Sequence, residues 1–431
     1  MALETPQWSA PLSGCDCYIA ALDDFMVRSG QGEHRCVSMV EVSERFSLPS
    51  LRSGLDRFVA SHPMLGARIT RAYPGAVPSW EKKVGTPEIE VKEHSAHTDP
   101  VDLAKRLLAT DWRGMMRFDV VPLGKNSMIL MSWSHLIFDG RGAELALAEI
   151  SRLSASSSNP DSRTSSHSIP DVRPMGIRDK LKAVKPFIDR YWLLRNEQVR
   201  SAGEEAKGSN VSDFLLIRFT EQESEIIRQK AQQLTGGIFL LPYFLAVAMR
   251  GHRRVLVERG IRNGSMECPI SLQKRKRGTN GPIFQNQVSQ MFFSLKLSET
   301  ESLETATRML LDQYSSMAKS GFDEAFIIMT NWMRRLPLNF YRIFMKREAS
   351  GQISSFFHAH TGTFMSGVPN FCGGAIQDGW HVPSVSQPPG TGLFFSEREG
   401  RLTGTLCWRV GVISTEEVAI MEQMIRGDLL R

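Results

Sequence analysis

The sequence predicts a mixed α/β protein (α+β, with mixed sheets) folded as two lobes, and three observations carry that expectation. Short apolar or alternating runs, the pattern of strands, are interspersed with longer stretches in which apolar residues recur at the helical period. A length of 431 residues suits two domains or one large bilobal one. A single segment, Ser154 to Pro174, is rich in Ser, Pro and Asn, lacks apolar periodicity and reads as an exposed linker. The expected division is therefore a first lobe over 1–174, ending in that linker, and a second over 175–431.

The elements follow in order. Pro11 to Asp24 reads as a turn and a short amphipathic helix, and Cys36 to Val42 as a strand. Leu48 to His62 puts Leu51, Leu55, Phe58 and Val59 on one helical face, with Ser47 and Pro49 as start signals and Pro63 as the stop. Met64 to Arg71 and Glu88 to Val91 are strand candidates, separated by a turn at Pro74, Gly75 and Pro78. Leu103 to Trp112 is helical and Met116 to Pro122 extended. Beyond the linker, Ile177 to Val199 reads as one cationic helix with Leu181, Val184, Ile188, Tyr191 and Trp192 on one side. Phe214 to Phe219, Met266 to Leu272, Val288 to Leu297, Ile353 to His360 and Leu393 to Trp408 are strand segments. Glu221 to Leu234, Pro242 to Arg259 and Glu301 to Ala318 are helices. A last helix starts at the capping box Ser414 to Glu417 and runs to Leu430.

Composition narrows the function classes. Hydrophobic content of 42% and charged content of 23% are those of an ordinary globular enzyme, large enough to hold its core without metals or disulfides. The six cysteines form no C-x-x-C pair and no Cys/His cluster along the chain, which predicts reduced thiols, a cytoplasmic protein and no metal site. The start has no apolar leader, and the most apolar run, Gly236 to Met249, is too short to span a bilayer and carries Pro242. A net charge of +6 and a pI near 9.0 suit an acidic partner, such as a phosphate-bearing co-substrate or an acidic carrier protein. No nucleic-acid motif accompanies the charge, and a monomer is expected.

The chemistry concentrates in Met128 to Leu153. Met128 to Trp133 is a buried-strand run, Phe138-Asp139-Gly140 is turn chemistry, and from Gly142 onward Ala143, Ala146, Leu147, Ile150 and Leu153 recur at helical spacing. His135 and Asp139 therefore flank a tight strand-to-helix turn. A neutral imidazole there can take a proton from a hydroxyl or amine as it attacks a carbonyl. The pattern by itself leaves a second reading open, a hydrogen-bonded turn histidine with Asp139 as helix N-cap.

Several ordered pieces extend the pattern. PLSGCDCYIAALDD, FVASHPMLGARI, SHLIFDG, CPISLQKR followed by Asn286, and PPGTGLFFSEREGRLTGTL resemble, in sequence order, segments of the CoA- and carrier-dependent acyltransferase superfamily. That superfamily includes chloramphenicol acetyltransferase, peptide-synthetase condensation domains, wax-ester synthases and alcohol acyltransferases. The resemblance covers almost the whole chain. It implies two chloramphenicol-acetyltransferase-like lobes in a V with a tunnel between them. It also implies His135 as catalytic base, Asp139 as the residue that orients the loop, and Gly140 as clearance beside the tunnel. The donor it implies is acyl-CoA or an acyl thioester on the phosphopantetheine of an acyl carrier protein, with no permanently bound cofactor. The acceptor is an alcohol or amine, in natural-product or lipid metabolism. Transfer is direct, in keeping with the absence of a G-x-S-x-G motif.

The sequence departs from the family pattern at three places. Ser134 stands at the usual first His, Ser61 at an Arg before His62, and Gln273 at a second Arg. Arg275, Lys274 and Arg68 remain as candidate partners for Asp139. Lys274 and Arg275, in the run Lys274 to Arg277, are candidate phosphate ligands, or part of a solvated loop. His360, two residues from His358, and Asn286 are candidate tunnel contacts, or structural residues. Two rival functions stay open: a condensation enzyme joining carrier-bound partners into an amide, and a non-catalytic module that binds a carrier protein or apolar ligand.

Overall fold

The computed structural model describes residues 8–431 apart from 83–86, 88, 110, 111, 113, 156–175, 196, 205–208, 238, 277, 280, 338, 339 and 342–353. The first half runs β1 (Trp8–Pro11), α1 (Gly14–Arg28), β2 (Arg35–Val42), α2 (Leu48–Ser61), β3 (Ala67–Thr70), β4 (Ser79–Lys82), β5 (Glu90–Glu93), α3 (Pro100–Ala109), β6 (Met116–Leu123), β7 (Asn126–Ser134) and α4 (Gly140–Ala155). The second runs α5 (Ile177–Ala183), α6 (Lys185–Arg195), β8 (Ser212–Arg218), α7 (Glu221–Thr235), α8 (Leu241–Glu258), β9 (Ser265–Gln273), β10 (Val288–Lys296), α9 (Leu303–Lys319) and α10 (Phe322–Met333). It continues with β11 (Phe357–Thr363), β12 (Asn370–Phe371), β13 (Gly374–Val382), β14 (Thr391–Arg398), β15 (Arg401–Arg409) and α11 (Thr415–Leu430).

One large sheet has the order β12-β13-β2-β7-β6-β5 and a second the order β11-β14-β15-β8. β9 and β10 pair as an antiparallel ribbon, and β1, β4 and β3 form a small sheet. β2 and β7 are buried on both faces, which is why they read as near-continuous apolar runs. Successive side chains alternate between cores. Cys36, Val40, Val42, Ile129, Met131 and Trp133 join the core under α2 and α4. Val37, Met39, Met128 and Leu130 join a layer with α3, Trp380 and Cys407. A further core gathers α8, α9, α11 and the second sheet.

The division at residue 174 does not partition the sheets. β13 pairs antiparallel with β2, from Ile376 opposite Val42 to Val382 opposite Val37, so strands from 370–382 complete the first lobe's sheet. Phe364, Met365, Phe371 and Ile376 fill the same core. The Ser-rich segment from 156 onward lies outside the described residues; Ser154 and Ala155 end α4.

Local signals locate most elements. Ser13 caps α1 by accepting from the Asp16 amide, while the Asp16 carboxylate accepts from the Ser13 amide, and Ser414 and Glu417 repeat the device at α11. Three expectations are corrected. The single helix over Ile177 to Val199 is two helices meeting at Val184, and Val199 instead bridges to Ser265. The residues expected on one side of it do not share one setting: Leu181, Ile188 and Trp192 are exposed while Val184 is buried, as is Leu194. Met64 to Arg71 opens as a 3-10 turn, Pro63–Gly66, before β3. No helix among the described residues is long and apolar enough to cross a membrane. α8 is instead a core helix with Pro242 in its first turn.

Candidate active site

β7 delivers His135 to the turn and α4 leaves it. The His135 amide donates to the His34 carbonyl at 2.9 Å, so the residue after β7 still pairs with the chain entering β2. The Ser134 hydroxyl accepts from the Leu136 amide at 3.3 Å and the Ile137 amide donates to the Ser134 carbonyl at 3.2 Å, which tightens the bend. Asp139 then caps α4: its Oδ1 accepts from the Gly142 amide at 2.8 Å. The capping reading therefore holds alongside any chemical one.

A second segment locks the turn from the opposite side. Arg275 Nη1 lies 2.8 Å from each Asp139 carboxylate oxygen, and both side chains are almost fully buried. The same guanidinium donates to the carbonyls of Pro282, Ile283 and Gln285, stitching 282–287 around itself. Asp139 Oδ2 also accepts from the Gln287 amide at 2.9 Å, and the Gln285 amide donates to the Ile137 carbonyl at 2.7 Å. Arg275 is thus the partner of Asp139 among the three candidates. Its charge is spent inside the protein, which corrects its assignment as a phosphate ligand. Lys274 pairs with Asp323 at 2.8 Å on the surface, and Lys276 is exposed.

Asn286 fastens the histidine. Its Nδ2 donates to the His135 carbonyl at 3.1 Å and to Asp16 Oδ1 at 3.1 Å, while its amide donates to the same Asp16 oxygen at 2.8 Å. It is fully buried, so it positions the turn instead of capping one. Asp16, unmarked in the sequence beyond its helix-start position, thereby ties α1 to the site. Burial pushes its carboxyl up, and hydrogen bonds from Asn286 and Ser13 oppose that push.

His135 is partly exposed as a residue, with Nδ1 buried and without a hydrogen-bond partner. Its ring lies 4.7 Å from that of His34 and 5.5 Å from that of Trp133. Burial holds its pKa below the usual histidine value; polar contact with its own main chain, the Asp139 charge and the Asn286 side chain pull the other way. The imidazole is therefore neutral at pH 7, the form a general base requires. On the side of Leu136 opens a cleft of about 390 Å³, bordered by α1, β3 and Arg71. The cleft is within the size range of small-molecule sites.

The remaining predicted residues separate. Ser134 is buried and spent on the turn. The close approach falls two residues after Gly140. A methyl group on Gly140 would meet only His381, at 3.8 Å, whereas one on Gly142 would lie 2.5 Å from the Ile283 carbonyl oxygen. His360 sits in the second sheet, stacked 4.5 Å from Phe244 with Nε2 3.9 Å from Glu397. Its neighbours thus belong to the second lobe's core. Burial also lowers its pKa, and Glu397 opposes that.

The fold also assembles a Cys/His group that spacing along the chain does not show. Ligand atoms of His34, Cys36 and His135 lie within 4.8 Å of one another, brought together across strands and not along the chain. The sequence signal was His34-x-Cys36, which alternation places on one face of the strand.

No protein-family model and no curated relative matches the sequence. Solved structures do. The chain is similar to the TRI3 trichothecene 15-O-acetyltransferase of Fusarium sporotrichioides, at a TM-score of 0.73 and 13% identity over 98% of this chain and 95% of that one. It is similar to the first condensation domain of the CDA synthetase, at 0.67 and 14% over 98% and 96%. F. graminearum TRI101, solved in complex with ethyl coenzyme A, matches at 0.60 and 11% over 96% and 98%. The chain therefore has the two-lobed fold shared by condensation domains and CoA-dependent acyltransferases.

Proposed function

We propose that this fold carries an acyltransferase that moves an acyl group from a CoA or carrier-protein thioester to a hydroxyl or amine. The observation that carries the reading is the turn itself. It holds a neutral imidazole on a partly exposed residue whose chain neighbour, Leu136, lines a cleft, while the neighbouring carboxylate is committed to structure by Arg275, Gly142 and Gln287. The fold similarity to a named acetyltransferase, to a protein solved with ethyl coenzyme A and to a condensation domain supports the same chemistry.

In this mechanism the acceptor lies in the cleft next to Leu136. His135 takes its proton as the oxygen or nitrogen attacks the thioester carbonyl. The tetrahedral intermediate then collapses, the C–S bond breaks, and the departing sulfur recovers the proton from the imidazolium. No acyl-enzyme forms. Asp139 orients the turn and takes no proton. Asn286 holds the main chain of His135 so that the ring keeps its place during transfer.

The test incubates purified protein with short- and medium-chain acyl-CoA, and with an acylated carrier protein, against panels of alcohols and amines. The expected result is free thiol released in step with ester or amide, and abolished in His135→Ala. Turnover unchanged in that variant would remove His135 from the role of base. Amide formation from carrier-bound partners alone would favour the condensation reaction, and binding without turnover across the panel would favour a non-catalytic module.

A further inference from the structure

Three ligand-type side chains converge at the edge of the proposed site without any of them being needed together for acyl transfer. His34 precedes β2 and Cys36 is its second residue, so strand alternation sends both side chains to one face. His135 follows β7, which pairs antiparallel with β2, and its amide bonds to the His34 carbonyl at 2.9 Å. That register sets the His135 ring on the His34 ring, 4.7 Å between centroids and 30° between planes. One ligand atom from each of the three residues lies within 4.8 Å of the other two. Ligands around a common zinc-like ion are separated by about 3.5 Å, so the cluster needs adjustments on the order of 1 Å to close on one.

The cluster is also under-occupied. Nδ1 of His34 and Nδ1 of His135 are both buried and have no hydrogen-bond partner, an unusual state for buried polar atoms. His34 is 7% exposed and Cys36 2%. The Ser384 main chain borders His34 and Cys36. Two imidazoles and one thiolate suit a borderline-soft dication such as zinc or cobalt, with a water in the fourth position.

We propose that His34, Cys36 and His135 form a three-ligand site for a zinc-type transition-metal dication, and that its occupancy switches off the base. Binding breaks the Cys36 S–H bond and releases its proton to solvent as the sulfur–metal bond forms; both imidazoles donate lone pairs, and no electron is transferred. A metal on either nitrogen of His135 leaves the other nitrogen protonated, so the ring can no longer accept a proton. The inhibitory consequence rests on the function proposed above, whereas the site itself does not.

Cobalt(II) is the probe. Titration of the reduced full-length protein is expected to give a saturable thiolate-to-cobalt charge-transfer band at one equivalent, which added zinc bleaches. Cys36→Ser abolishes the band, and His34→Gln weakens cobalt binding at least tenfold. Thermal melts followed by circular dichroism confirm that both variants are folded, and two independent ligands keep the test alive if one is not. Zinc at the same occupancy suppresses wild-type turnover, and at least tenfold more is needed in Cys36→Ser. A wild-type titration without the band, or a band that persists in Cys36→Ser, overturns the site. A cobalt spectrum in a protein with no acyl transfer supports the site and overturns the function; turnover without the spectrum does the reverse.

Discussion

Two histidines of the first lobe's sheet each have a carboxylate nearby, and their settings are opposite. His381 on β13 contacts the Ser38 hydroxyl with Nδ1 at 2.9 Å and Glu144 with Nε2 at 3.3 Å, and Trp133 donates to the same hydroxyl at 3.0 Å. By residue type this is a serine–histidine–glutamate chain. Ser38, Glu144 and His381 are nevertheless all buried, and both ring nitrogens are occupied. His135 is partly exposed, and its carboxylate neighbour contacts main chain and Arg275 instead. The difference is one of access and saturation: His135 keeps an unpartnered ring nitrogen on a partly exposed residue, while the saturated chain is a strut joining β2, β13 and α4.

That contrast is open to direct attack. The largest expected effect is on His135: alanine there lowers turnover by about 10²–10⁴-fold, the usual contribution of a general base. His381→Ala instead leaves turnover within about tenfold and costs stability of about 1–3 kcal/mol, since Glu144 and Ser38 each lose a buried partner and keep only Arg141 and Trp133. A turnover assay and a urea titration on the pair would break the comparison if the two losses were exchanged. Next comes the lock behind the turn. Arg275→Ala leaves a buried carboxylate without its countercharge and is expected to destabilise the protein by about 3–5 kcal/mol, read from the denaturation midpoint. Arg275→Lys recovers only part of this, since an ammonium cannot reach the carboxylate and the carbonyls of 282–285 together.

The glycines sharpen the comparison further. Gly142→Ala drives a methyl against the Ile283 carbonyl and is expected to cost about 1–3 kcal/mol, whereas Gly140→Ala stays near wild-type stability. A drop in turnover in Gly140→Ala, without loss of stability, would mean that substrate uses the space beside it. The remaining effects are those of pH. The His135 pKa is depressed by burial, so its neutral form persists on acidification and the acid limb of kcat/KM falls below pH 6.5. His252 and His358 are held neutral by burial, with pKa values lowered to about 4 and about 3. Above pH 6.5 they cost nothing. As pH falls from 6.5 through those values, the unfolded chain takes up protons that the folded one refuses, and stability measured by denaturation declines.

Local chemistry made much of this visible in the sequence. The Ser-capped helices, the strands on either side of the turn, and the pair His135 and Asp139 were legible because caps, periodicity and turn residues act over a few positions. Arg275 stood among three candidates, since a charged run shows cations and not which one folds inward. What stayed hidden was long-range. β13 pairs with a strand more than 300 residues earlier, and no local pattern encodes that register. The His34–Cys36–His135 cluster exists only because two strands align. α10 went unassigned because its buried residues surround most of the helix, which blurs the period.

The pairing of β13 with β2 also bears on how the protein can be handled. In a fragment ending at residue 174, β2 would lose one neighbour and become a bare edge, eight residues long, with Val37, Met39, Val40 and Val42 fully buried in the intact chain. Such an edge is a template for intermolecular strand addition. The first lobe expressed alone would therefore tend to inclusion bodies, and a soluble split version would have to keep residues 370–382 with it, as a co-expressed piece or a circular permutant.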